Sequence, residues 1–171
     1  APVVVVPGAV SYAGETYTGQ ILGWSAEFMA TLLNITPAEG TLFDATDIAA
    51  RAKVAVIGDK ARRELFGESD AVGESVEIKG VRFRVVGVMP PHGQSALFNV
   101  DDLTIIPYTS AQTYVLGTNH FHEIIIRAES AQYVEATKQD VLETIRTLHR
   151  IDDPEKDDFY VQTQQGLVAQ I

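Results

Sequence analysis

The alternation of apolar and polar positions is clearest between residues 54 and 89, and it predicts a strand, a short capped helix, a turn and a hairpin. Val54 to Ile57 is a short β-branched run of the kind that becomes a buried strand. Gly58 lets the chain turn, and Asp59 is placed to cap the helix that follows. That helix spans Lys60 to Phe66, with Ala61, Leu65 and Phe66 on its apolar side and Arg62, Arg63 and Glu64 on its wet side. Gly67 stands where a left-handed residue stops a helix. After an acidic turn over Glu68 to Gly73, Glu74 to Lys79 alternates, with Val76 and Ile78 facing one way. Lys79-Gly80 reads as a hairpin turn, and Val81 to Met89 returns as the second strand. Pro90-Pro91 ends it, because proline donates nothing to a ladder.

The rest of the chain reads in the same way. Pro2 to Val6 is a strand ended by Pro7-Gly8, and Ala9 to Ala13 with Thr16 to Gly23 forms a hairpin around Ala13-Gly14-Glu15. Ser25 is placed as an N-cap, Trp24 and Phe28 as a hydrophobic staple, and Glu27 to Leu33 as a short helix. Asp44 and Asp47 cap a turn. His92 to Asp102 is loop, with Gly93-Gln94-Ser95 at its tip; Leu103 to Ile106 is a strand closed by Pro107, and a helix covers Ser110 to Leu116. Glu123 to Arg127 (EIIIR) is a further strand. Ser130 is placed to cap the clearest helix, Ala131 to His149, whose Val134, Val141, Leu142, Ile145 and Leu148 make one apolar stripe. Glu135 with Lys138, and Glu143 with Arg146, sit at helical pair spacing on the wet side. Asp152 to Asp158 is a charged turn, and Asp158 to Val161 a last strand. Strands and helices mixed in this order indicate an α+β architecture.

The central stretch resembles the extracytoplasmic domain of MacB-type ABC transporter permeases. The resemblance is carried by Val54 to Gly58, Leu65 to Gly67, Asp70, Val72-Gly73, Gly80, and Phe83, Val85, Gly87 and Val88. Ala71 and Glu74 stand where that family usually has Pro and Lys, and neither change breaks the turn. IPYTSAQ (Ile106 to Gln112) and Asp157-Asp158-Phe159 with Val161 match as well. Before residue 54 the match is weaker: Gly40, Phe43 and Asp47 fit a family segment in which Thr41 replaces the usual Arg. The resemblance implies two subdomains. One is a porter-type βαβ-like module from residues 1–43 and 104–171; the other is an inserted, β-rich, sabre-type piece from residues 44–103.

Composition narrows the function classes. The 171 residues are enough for one domain or two small subdomains, with 46% hydrophobic residues. No apolar run approaches the ~18 residues that a membrane span needs. The start, APVVVVPGAV, has no basic n-region, so it is not expected to be a signal peptide and reads as the start of an excised segment. There is no cysteine, hence no disulfide and no thiol chemistry. A net charge of −10 argues against nucleic acid and against adsorption to anionic headgroups.

No pattern of catalytic residues emerges, and no catalytic, cofactor or metal residue is assigned. GESDAVGES (Gly67 to Ser75) fails as a phosphate loop: five residues separate Gly67 from Gly73, and Glu74 occupies the place of the lysine. His120 and His122, two apart beside Glu123, would face one side of a strand and could ligate a metal, but no third ligand stands at a fixed spacing. A solvated pair at a strand start is the simpler reading. His92 in its Pro/Gly loop and His149 at a helix C-terminus read as structural. Asp101-Asp102, Asp152-Asp153 and Asp157-Asp158 lack an EF-type spacing and read as solvated turns rather than calcium ligands. Neither G-x-S-x-G nor H-E-x-x-H occurs. Trp24 and the tyrosines read as packing.

The resemblance therefore supplies the functional expectation. It implies an extracytoplasmic domain of a cytoplasmic-membrane permease, carried on flanking transmembrane helices, with ATP hydrolysed in a separate cytoplasmic domain. The domain would relay that motion outward to drive export. The implied partners are a periplasmic adaptor of the membrane-fusion type, a second permease copy in a homodimer, and an outer-membrane duct where one exists; drugs, peptides, toxins or siderophores are the implied substrates. The alternative is a related ectodomain that releases lipoproteins or regulates a cell-wall hydrolase.

Overall fold

The computed structural model of the protein describes residues 1–26, 28–32, 34–93 and 98–163. The chain divides into two units, residues 1–125 and 126–171. In the first, β1 (Pro2–Val6), β2 (Val10–Tyr12), β3 (Glu15–Tyr17), β4 (Gln20–Trp24) and β5 (Glu39–Gly40) precede α1 (Ala45–Ala50). Then come β6 (Val54–Ile57), α2 (Asp59–Phe66), β7 (Ser75–Ile78), β8 (Val81–Val88), β9 (Leu103–Pro107), α3 (Tyr108–Ser110) and β10 (Glu123–Ile124). Among the described residues, all ten strands belong to one sheet, ordered β10-β1-β4-β9-β6-β8-β7-β2-β3, with β5 pairing to β8. The α+β expectation holds.

The centre of the sheet is apolar on both faces, which is why β6 and β9 read as continuous rather than alternating runs. Along β6, Val54 and Val56 point into one core, Ala55 and Ile57 into the other. On the first face Ala61, Leu65 and Phe66 of α2 pack with Val76, Ile78, Phe83 and Val85. On the second, Trp24 is fully buried against Phe28 (ring centroids 4.1 Å) and Phe98 (5.2 Å), with Met29, Phe43 and Met89 around them. The Trp24–Phe28 staple thus forms, but as the entry to a π-helical turn over Phe28–Leu32, since Glu27 and Leu33 lie outside the described residues. Ser25 contributes its carbonyl to that turn (3.3 Å to the Phe28 N–H); among the described residues its hydroxyl has no partner.

Local signals are honoured where the backbone needs them. Asp44 accepts from the N–H groups of Thr46 and Asp47, and the Asp47 carboxylate accepts from the Asp44 N–H, so a complete capping box starts α1. Lys79 and Gly80 both have positive φ (47° and 79°), the geometry of a tight two-residue hairpin turn. Gly58, not Asp59, is the N-cap of α2: its extended backbone starts the helix, and Asp59 instead reaches Arg63 at 3.1 Å one turn on. The second arm of the N-terminal hairpin breaks at Thr18-Gly19, giving β3 and β4 different partners. The helix expected over Ser110 to Leu116 begins as α3 at Tyr108 and continues as a π-helical turn, Ala111–Leu116. Gln94 and Ser95 of the expected loop tip lie outside the described residues.

The EIIIR strand is shorter than expected. Antiparallel register sets Glu123 against Val3 and Ile124 against Pro2, and the Ile125 N–H bonds the Ala1 carbonyl at 2.8 Å. The ladder runs out there, so Ile126 and Arg127 are not strand.

The second unit is built on α4 (Val134–His149), entered through a 3₁₀ turn over Ala131–Tyr133 that the Ser130 side chain does not cap. Val134, Val141, Leu142 and Ile145 are half-buried, while Leu148 is exposed. Arg146 pairs with Asp157 rather than Glu143, through two nitrogens at 2.6 to 3.1 Å. Asp158 to Val161 is not a strand: Asp157 and Asp158 turn to Arg146 and His149, and the Phe159 ring lies 6.0 Å from that of His149. Side-chain anchoring to α4 sets this backbone instead of a ladder. Among the described residues, no helix is long and apolar enough to cross a membrane.

The β5–β8 pairing tolerates no side chain at Gly87, where a Cβ would overlap the Thr41 carbonyl oxygen. Gly87→Ala is expected to lower stability by about 1–3 kcal/mol, the usual cost of overpacking. Urea unfolding measures it; an unchanged midpoint would show that β5 yields freely.

Candidate functional site

The most highly organised polar site lies where β3 ends, β9 begins and α2 starts. A 3₁₀ turn over Val100–Asp102 leads directly into β9. It sits against the backbone at Gly19 and Gly58, where a Cβ would overlap the carbonyl oxygens of Asp102 and of Val100 and Asp101 respectively. Only glycine permits that approach. The Gly58 N–H donates to Leu103 O at 2.8 Å, closing the end of β6 onto β9.

The Asp102 carboxylate gathers three donors, two of them from distant parts of the sequence and one from its own turn. Tyr17 of β3 donates its hydroxyl in a short hydrogen bond, Lys60 of α2 lies at 2.9 Å, and Asn99 Nδ2 donates at 2.6 Å. The Tyr17 bond and then Lys60 hold the Asp102 carboxyl below its ordinary range. Burial, reinforced by the same hydrogen bond and by nearby carboxylates, raises the Tyr17 phenol. Asp101 faces the other way, accepting from the N–H groups of His92 (2.7 Å) and Gly93 (3.0 Å). This arrangement has the chemistry of a clasp: its charge is spent on protein donors.

A second clasp explains the IPYTSAQ motif. The Thr109 hydroxyl donates to Ile48 O and the fully buried Ser110 hydroxyl to Ala52 O, each at 2.7 Å. Ile48 is in the last turn of α1, where its carbonyl also accepts the Arg51 N–H at 3.2 Å, and Ala52 lies just beyond the Arg51 cap. Lys53 adds a cation–π contact, 4.5 Å above the Tyr114 ring. The segment between Asp44 and Leu103 is thus tied to the flanking chain at both its entry and its exit.

The other sequence candidates resolve as follows. His120 and His122 stand side by side, rings 5.4 Å apart, but Nδ1 of His122 accepts the Val5 N–H at 3.1 Å and that of His120 bonds the Thr118 hydroxyl. Accepting at Nδ1 puts the proton of neutral His122 on Nε2, so neither ring nitrogen offers a lone pair to a metal. His92 serves through its backbone, as above. His149 bonds Asp158 at 2.8 Å at the end of α4. Asp153 caps the Pro154–Lys156 turn by accepting from the Glu155 N–H, and Asp157 is held by Arg146. These carboxylates thus have separate partners. In the Gly67 to Ser75 turn the Gly73 N–H is committed to Val85 O (2.8 Å), and Arg62 binds Gly67 O (2.6 Å). Trp24 is packing. Sequence reasoning did not find the Tyr17–Asp102 clasp, because the two residues lie 85 positions apart and neither is part of a local motif. The only signal was the pair of glycines, Gly19 and Gly58.

Residues 1–144 match the family of MacB-like periplasmic core domains. The chain belongs to that family. This MacB-like domain is 31% identical over 144 residues to the macrolide export ATP-binding/permease protein MacB of Chlorobium luteolum, covering 84% of the chain and 22% of the relative. It is 32% identical to MacB of Chlorobaculum tepidum over 95% of the chain and 25% of the relative. The pyoverdine export ATP-binding/permease protein PvdT of Pseudomonas aeruginosa is 34% identical over 82% of the chain and 21% of its own length. The chain thus spans a quarter or less of the curated relatives it matches. Its fold is that of the periplasmic region of MacB from Actinobacillus actinomycetemcomitans (TM-score 0.76, 16% identity, 99% of this chain and 73% of that one). The extracellular domain of the transporter YknZ from Gram-positive bacteria is similar too (TM-score 0.74, 21% identity, 86% and 74% covered).

Two outcomes test the clasps. Because the fold raises the Tyr17 phenol, its contribution is complete below the ordinary tyrosine pKa of about 10 and is lost as pH rises through the folded value. Tyr17→Phe is expected to be less stable at neutral pH by about 1 kcal/mol and to lose less stability on going alkaline; parallel wild-type and variant curves of stability against pH would refute this. Ser110→Ala removes the hydroxyl donor from the half-buried Ala52 carbonyl and is expected to cost about 1 kcal/mol in urea unfolding.

Proposed function

We propose that this chain is the extracytoplasmic domain of an ABC transporter permease of MacB type, and that its work is mechanical. The observation that carries the reading is the family match over residues 1–144, with the names of the macrolide and pyoverdine export relatives pointing to export. In this reading a separate cytoplasmic domain hydrolyses ATP, transmembrane helices flank the domain, and two permease copies face each other outside the membrane. Their movement drives a substrate outward with a periplasmic adaptor protein, rather than passing it through the membrane.

The two-subdomain division fits this role: residues 1–43 and 104–171 form the porter-like part, and residues 44–103 the sabre-like insertion. The clasps at Asp102 and at Thr109/Ser110 are the places where motion of one part is handed to the other, because they tie the insertion's two ends. The domain itself carries no catalytic role.

Two results test the proposal. The purified chain is expected to hydrolyse no ATP above the buffer rate; hydrolysis that follows the protein through purification would sink it. In the full-length permease, Asp102→Asn is expected to reduce export severalfold while basal ATP hydrolysis is unchanged. Export equal to wild type at equal protein level would refute the clasp's role. Recovery of a peptidoglycan hydrolase instead of an adaptor as the crosslinked partner would transfer the domain to hydrolase control.

A further inference from the structure

The edge of the sheet carries an unusual hydrogen bond. In β1 the N–H groups alternate between the β4 side and the β10 side. Val5 lies two residues beyond the Val3–Glu123 pair, so a continued ladder would offer its N–H to the backbone near Phe121. Instead the acceptor is an imidazole: Val5 N–H donates to Nδ1 of His122 at 3.1 Å, while the His122 N–H donates to Val3 O at 3.0 Å. One residue thus pairs with β1 twice, once with its backbone and once with its side chain.

We propose that His122 is an acid-sensitive latch that releases residues 117–125 from β1. A neutral imidazole has one lone pair, and at His122 it faces the Val5 N–H. When a proton takes that lone pair, both ring nitrogens become donors. An N–H then faces an N–H, and the Val5 amide loses its acceptor. The neighbouring His120 ring, 5.4 Å away, adds like-charge repulsion once it too is protonated.

Few other ionisable groups stand near. β1 (PVVVV) and β4 (QILGW), which pairs with its other side, supply none. The π-helical turn over Ala111–Leu116 presents Gln112, which donates to His120 O at 2.9 Å, and Tyr108 of α3 packs its ring on Phe121. On the same segment Glu123 follows His122 directly, and the Ala1 nitrogen donates to Ile125 O at 2.6 Å. Besides the His122 bonds, the segment is held by the two β10 pairs, by the Ile125–Ala1 bonds and by the Gln112 bond to His120 O; towards Val5, beyond the β10 pairs, the imidazole is the acceptor. The segment leads at Ile126 into the second unit. Resting on the reading of the chain as an extracytoplasmic domain, the latch would respond to the pH outside the membrane.

The test is amide hydrogen exchange of Val5 in the intact chain, corrected for the intrinsic pH dependence of exchange. Across the range in which histidines charge, about pH 8 to 5, wild-type protection is expected to fall roughly tenfold. His122→Asn places a non-titrating amide oxygen where Nδ1 lies and is expected to hold its protection throughout. His120→Asn is expected to keep the acid response. Wild-type protection that does not change across this range would overturn the latch, as would an equal fall in His122→Asn. Imidazole ¹⁵N shifts give a readout independent of any variant: the neutral His122 ring must carry its proton on Nε2, and an Nδ1–H tautomer would refute the proposal.

Discussion

Backbone must touch backbone where β3, β6 and β9 meet, and much of the molecule is arranged around that contact. The turn at Val100–Asp102 can lie on the chain only because positions 19 and 58 have no side chain. Once it is there, β9 enters the sheet between β4 and β6, and both cores close over it. Asp102 secures the approach with donors from β3, α2 and its own turn. A carboxylate suits this place because it accepts several hydrogen bonds at once, and charged acceptors make the strong ones.

The same logic accounts for the motifs that mark the family in this chain. The glycine of VAVIG (Gly58) admits the turn before β9, and Gly87 admits β5 onto β8. Thr109 and Ser110 donate to carbonyls at the last turn of α1 and just beyond it. Each of these residues serves backbone hydrogen bonding or clearance. In this chain the residues that mark the family are joints between backbone segments.

The sequence revealed what is decided within a few residues. The Lys79-Gly80 turn, the buried run Val54–Ile57 and the apolar side of α2 are fixed by neighbours in the chain and were legible; Asp44 and Asp47 were legible as caps, though of a turn and not of the helix α1 that they start. Asp59 was misread because the extended backbone of Gly58 already provides the cap. EIIIR was overextended because its length depends on the register with β1, which composition does not encode. Asp158 to Val161 has strand composition, but ion pairs to α4 decide its path. The Asp102 clasp was invisible for a related reason: only the folded sheet brings Tyr17 to it.

The arrangement of strands also sets how the domain yields to force. β4 and β9 run parallel over five paired positions, from Gln20 with Leu103 to Trp24 with Pro107. Tension that pulls these two strands past each other loads every bond between them together, so the pair resists as a block in shear. β10 is held at the margin by two pairs, and a pull on it opens them one after the other, as a zipper opens. Within the first unit the sheet therefore combines a stiff spar at its centre with a strip at its margin that peels under small loads.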